Sequence, residues 1–240
     1  MKPLVVCVVA LGLVAVQAAE PKLAPPATAP AGSEKALAPV PDVPGLPRVL
    51  ILGDSISIGY MVGVRERLQG RANVHRPAEN CGETARGIAS LDKWLGDKKW
   101  DVVHFNFGLH DVKYLDPAGK YVTPDKGKQV ATLAEYEGNL RAIVTRLKKT
   151  GAKLIFATTT PVPAKSSGRV ENDELRYNEV AVRVMKELGV AIDDLHAFVK
   201  PRQATIQRPN NVHFTDEGSA ELAGVVAASI ESALPPARAR

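Results

Sequence analysis

Apolar residues along this chain fall into two alternating patterns. Short unbroken runs appear at Val49–Leu52 (VLIL), within 101–107 (DVVHFNF), at 153–158 and at 190–193, with a weaker one at 73–75. Runs of that length bounded by glycine, proline or polar residues predict buried strands. Between them the apolar positions recur every three or four residues, which predicts helices over 57–68 and 84–95. A third helix carries Leu133, Tyr136, Leu140, Ile143, Val144 and Leu147 on one face and ends at Gly151. A fourth carries Leu175, Val182, Met185 and Leu188 and closes at Gly189. The last starts from Thr215 as N-cap, has Asp216 and Glu217 in its first turn, and buries Leu222, Val225, Val226 and Ile230. Strands separated by helices, with few hairpin signals, pair in parallel through right-handed crossovers. The expected architecture is a three-layer α/β/α sandwich around a five-stranded parallel sheet. In such sheets ligands bind beyond the carboxyl ends of the strands.

The first residues do not fit this alternation. Lys2 precedes an apolar run from Leu4 to Val16, interrupted only by Gly12 and followed by small residues at Ala18 and Ala19. This is the layout of a secretory signal peptide over residues 1–19. The run falls short of the roughly 20 apolar residues that a membrane span needs, so cleavage is expected rather than a retained anchor. A secreted or periplasmic protein follows. Residues 20–47 (EPKLAPPATAPAGSEKALAPVPDVPGLP) are dominated by proline and alanine without periodicity and predict an extended tether. The folded domain is expected over 48–234, with a tail at 235–240.

Composition narrows the chemistry. Cleavage leaves Cys81 as the sole cysteine, so no intramolecular disulfide can form. The formal charge of +5 is scattered, with no basic stripe interleaved with aromatics, which argues against nucleic acid as a partner. Nothing in the pattern calls for a stable membrane partner. No His/Cys spacing suits a metal, and no cofactor is expected.

Four junctions carry candidate chemistry. Gly53-Asp54-Ser55 runs from the first strand into a helix, where free N–H groups and the helix dipole favour a forming oxyanion, although an ordinary N-cap serine has the same look. Gly82, within Asn80-Cys81-Gly82-Glu83-Thr84, can offer its N–H to a ligand or simply make a turn. His110, within Gly108-Leu109-His110-Asp111, can donate from its ring or serve as a loop residue. His213, flanked by Val212 and Phe214 ahead of the last helix, can be held rigidly by those apolar neighbours with its ring toward the cleft. Cys81 reads as packing rather than as a nucleophile, and Asp54 and Asp111 as residues that fix loops.

Taken together and in this order, the segments resemble the SGNH hydrolases, the GDSL esterase and lipase family, over nearly all of Arg48 to Ile230. The fold this implies is flavodoxin-like. The resemblance implies Ser55 as nucleophile, His213 as general base, and an oxyanion hole from the N–H groups of Ser55 and Gly82 with a side-chain donor at 110. Two positions depart from the family pattern. His110 stands where the family has asparagine, so the donor's strength would depend on pH through its protonation. Asn210 stands where the family has aspartate three residues before the histidine, and would orient the His213 ring through its amide oxygen. The function implied is hydrolysis of small-molecule or carbohydrate esters, with a short-chain O-acetyl sugar as first choice. Two polar connections support a hydrophilic substrate: 112–132, with Tyr114, Tyr121 and several lysines, and 161–170, with Lys165 and Arg169. The rival is a non-catalytic glycan- or cell-wall-binding module, which would need neither Ser55 nor His213. A nucleotide-binding protein would need the GxGxxG or P-loop lysine that this sequence lacks.

Overall fold

The computed structural model describes residues 33–235. The expected signal peptide at 1–19 and the start of the 20–47 segment lie outside the described residues. The chain runs α1 (Glu34–Leu37), β1 (Arg48–Leu52), α2 (Ser55–Arg67), β2 (Asn73–His75), α3 (Thr84–Leu95) and β3 (Val102–Phe105). A two-stranded hairpin, β4 (Tyr114–Leu115) and β5 (Lys128–Gln129), precedes α4 (Leu133–Lys148) and β6 (Lys153–Ala157). Then come α5 (Glu174–Glu187), β7 (Ala191–Asp193), the short α6 (Leu195–Val199) and α7 (Gln203–Ile206), and α8 (Asp216–Ala233).

The main sheet has five strands in the order β2-β1-β3-β6-β7, all parallel. This is the expected architecture. Its centre is largely apolar: Val49 to Leu52 and Phe105 are at most 1% exposed, as parallel strands covered by helices must be, and the buried His104 of β3 lies 3.0 Å from Asp193 Oδ2 through its Nε2. Phe105 and Phe156 meet edge to face at 5.4 Å across the β3–β6 pair. The chain leaves β1 toward β2 on one side and returns to β3 on the other. The sheet therefore opens a crevice at the carboxyl ends of β1 and β3.

Helix α2 packs along α8, joining the start of the domain to its end. The approach is close because Gly63 has no side chain: a Cβ there would sit 2.8 Å from Ala223 Cβ. The predicted face of α4 is the buried one, whereas that of α5 holds only in part, at Met185 and Leu188. Tyr177, Ala181, Val184 and Met185 face inward, and Leu175 is 47% exposed. Buried polar residues share that face. Asn178 closes both backbone hydrogen bonds of Thr159, each at 2.8 Å, and Glu174 Oε1 lies 3.1 Å from His196 Nε2.

The end of the Pro/Ala-rich segment is built into the domain. Ala36 of α1 is buried, Arg65 of α2 donates to the carbonyls of Lys35 and Ala38, and Asp42 lies 2.7 Å from His75 Nε2. Asn73 fixes Val43 through both backbone groups. Packing thus begins upstream of Arg48, since the alanines and the Asp42 carboxylate have partners that composition does not reveal.

The strand β3 stops two residues before its predicted end. Asn106 turns its side chain onto Ala157 O at 2.7 Å, and Gly108 adopts φ +157. A Cβ at Gly108 would come within 1.9 Å of Thr159 Oγ1. Gly108→Ala is expected to lower stability by about 3 kcal/mol in urea unfolding. Gly138→Ala, on the exposed face of α4 with nothing within 4 Å, should raise it by roughly 0.5–1 kcal/mol.

Candidate active site

Ser55 opens α2 directly after β1. Asp54 caps the helix, its Oδ1 accepting from Ile56 N–H at 2.9 Å, and no hydrogen bond among the described residues engages the N–H of Ser55 itself. The Ser55 side chain is half-buried at the crevice. From beneath, the buried Arg76 donates to Gly53 O at 3.3 Å and to Ser57 Oγ at 3.0 Å, and Ser57 Oγ donates to Asp54 O. The turn carrying Ser55 is thereby held on both sides.

His213 arrives from the far end of the domain. Its Nε2 lies 2.8 Å from Ser55 Oγ. Val212 and Phe214 are buried on either side, Arg208 N–H donates to His213 O at 2.9 Å, and Gln207 donates to Val212 O at 3.0 Å. The ring is oriented by Asn211, not by the expected Asn210. Asn211 Oδ1 accepts the backbone N–H of His213 at 3.0 Å and lies 2.7 Å from its Nδ1. Because the backbone group can only donate, the facing Asn211 atom must be oxygen, and Nδ1 must carry the proton. Nε2 is then the basic nitrogen, turned to the serine hydroxyl. Asn210 instead takes a left-handed conformation, φ +56, and reverses the chain on the exposed side of the loop.

Gly82 is only partly as expected. Its φ of +67 requires glycine, but its N–H already donates to Asn80 Oδ1 at 2.9 Å. The same device recurs at three loops: Asp54, Asn80 and Asn211 each accept the N–H two residues onward. An Asx residue two positions before a candidate is the sequence signal that would have found Asn211 and Asn80.

His110 lies buried in the turn after β3, and no hydrogen bond among the described residues engages its ring. Burial, together with the charges of Lys113 and Arg169, holds it well below the ordinary imidazole value of 6.5. The shift favours the neutral ring, which can donate from one nitrogen. Asp111 anchors the neighbouring helix, its Oδ1 accepting from Thr84 N–H at 3.0 Å and Thr84 Oγ1 at 2.5 Å, and burial pushes its carboxyl up to about 7. Cys81 is fully buried and its thiol is pushed up to about 12, which removes it as a nucleophile at neutral pH. A cleft of about 630 Å³ adjoins Ser55 and His213, walled by α2 and α8 and lined also by Ser33 and Ala36.

A hydroxyl hydrogen-bonded to an imidazole of fixed tautomer, beside a free helix N-terminal N–H, is equipped for acyl transfer. Fold and site together define an ester hydrolase. Residues 51–220 match the model of the GDSL-like lipase/acylhydrolase family, and the chain belongs to that family. No curated protein matches its sequence. Among solved structures, the lipase/acylhydrolase from Enterococcus faecalis superposes with a TM-score of 0.63 at 21% identity, covering 81% of this chain and 100% of that one. The acetyl xylan esterase AlAXEase gives 0.62 at 17% identity, over 76% of this chain and 99% of that one. Axe2, an acetylxylan esterase from Geobacillus stearothermophilus, gives 0.59 at 18%, over 81% and 97%. At these identities the likeness is one of fold.

Proposed function

We propose that the protein hydrolyses short-chain acyl esters of carbohydrates through a Ser55 acyl-enzyme. The observation that carries this is the 2.8 Å contact of Ser55 Oγ with a His213 Nε2 made basic by Asn211. Ser55 Oγ attacks the acyl carbonyl and passes its proton to Nε2. The oxyanion takes the free N–H of Ser55 and the neutral His110 ring, while the Gly82 amide is shared with Asn80. Nε2 then protonates the leaving alkoxide as the C–O bond breaks. Water, deprotonated by the same nitrogen, releases the acid and restores the serine. The polar 112–132 and 161–170 connections, and fold neighbours that are acetyl xylan esterases, support an O-acetylated saccharide.

The test is acetate release from acetylated xylooligosaccharides and from p-nitrophenyl acetate by the 20–240 chain. Background rates on both would favour a glycan-binding module of the same fold. Export is part of the proposal, supported by the pattern at 1–19, and N-terminal sequencing of protein recovered from a producing cell should begin near Ala19 or Glu20.

The pH dependence follows from His213. Burial lowers its pKa from 6.5, with Arg169 and Arg208 adding to the shift and Asp54 opposing it. The neutral, basic form is the active one, so kcat/KM should rise with pH to a plateau along a limb centred below 6.5. Asn211→Asp places a carboxylate at Nδ1, favours the imidazolium, and should move that limb to higher pH.

A further inference from the structure

The two polar connections that follow β3 and β6 are tied to each other, Tyr114 N–H donating to Gly168 O at 2.8 Å. Each contributes a cation. Lys113 is only 7% exposed, and its Nζ lies 5.3 Å from the centre of the Tyr121 ring. Arg169 places its guanidinium 5.9 Å from the same ring and donates from Nε to Leu109 O at 2.8 Å, next to His110. Neither forms an ion pair with a carboxylate within 4 Å among the described residues. The acids nearest in charge are Asp54, which reaches Arg169, and Glu83, which reaches Lys113. Asp54 spends Oδ1 on the cap of α2, and its Oδ2 is sealed without a partner. Lys113 is buried with the Tyr121 side chain as its partner, and Arg169 is part-buried beside the same ring, which is weak compensation for two cations held without a carboxylate. Their charge is felt at the reacting groups: Arg169 acts on His213, and both act on His110.

We propose that Lys113 and Arg169 form an anion subsite that holds a carboxylate of the substrate beside the scissile ester. This rests on the esterase reading above. An acetyl group has no room for a charge, so the carboxylate belongs to the alcohol portion, and the substrate class is an O-acetylated sugar acid. Lys113 supplies a point charge and Arg169 the guanidinium N–H groups not engaged by Leu109 O and Ser167 O, a combination suited to a carboxylate. The leaving sugar then departs as an anion-bearing alcohol from a cleft that recognises it.

Two measurements separate this from the esterase reading. In the first, kcat/KM is compared for 4-acetoxybenzoate and its methyl ester, whose phenol is the better leaving group. The wild type should prefer the carboxylate by about tenfold or more, against intrinsic reactivity. That ratio should collapse in Lys113→Met and Arg169→Met but persist in the charge-retaining Lys113→Arg and Arg169→Lys. A wild-type ratio at or below one, or a ratio unchanged in the methionine variants, overturns the subsite while leaving the esterase intact. In the second, methyl glucuronoside and methyl glucoside are titrated into Ser55→Ala by calorimetry, with no turnover required. Tighter binding of the uronate by at least tenfold is expected. Equal binding, or binding of neither, overturns the subsite whatever the esters do.

Discussion

Ser55→Ala is expected to lower kcat/KM for p-nitrophenyl acetate by roughly 10⁴–10⁶-fold, and His213→Ala by a similar factor. In the proposed mechanism the two side chains act on one proton, so removing either leaves the other without a partner 2.8 Å away. The double variant should therefore fall no further than the worse single, with the residue of activity coming from the N–H of Ser55 and from binding. Both side chains are partly exposed at the crevice, so circular dichroism and urea midpoints should stay near the wild type. Losses that multiply in the double variant would mean that the two residues act on separate steps, against the mechanism proposed.

The second large effect separates two adjacent asparagines. Asn211→Ala is expected to lower kcat by on the order of 10²–10³-fold, with KM little changed. It frees the His213 ring to rotate and to place its proton on Nε2, the nitrogen that must accept from Ser55. Asn210→Ala should leave kcat within a factor of a few, because that residue serves the turn rather than the ring. Its cost should appear in stability, since alanine at φ +56 is strained by about 1 kcal/mol. Steady-state kinetics on the two variants, with the reverse ranking as the disproof, settle which amide orients the base.

Much of this site was readable in the sequence because its chemistry sits where one element meets the next. Ser55 follows a strand and opens a helix, and His213 precedes a helix between apolar residues; both placements are local and hold in the structure. Asn211 was hidden because spacing counts residues, while orientation depends on backbone dihedrals. The left-handed turn at Asn210 swings its side chain outward and hands the ring to its neighbour. The face of α5 was legible only in part for a related reason: Glu174 and Asn178 are buried through hydrogen bonds, so apolar periodicity understates that face. The hairpin of β4 and β5 has two residues per strand, too few for an alternating pattern to register. The docking of α1 depends on Arg65 reaching carbonyls some 30 positions away in sequence, which composition cannot express.

The packing of α2 against α8 also makes the enzyme a late product of its own folding. Ser55 and His213 are 158 positions apart and meet only when α8 lies along α2. Closing so long a loop is entropically slow, and local helices and the central strands have no need to wait for it. On refolding from urea, helical signal should therefore return before hydrolytic activity does. A ribosome-bound chain that has not yet released α8 would hold the strands of the sheet and remain inert, so ester hydrolysis reports that α8 has docked.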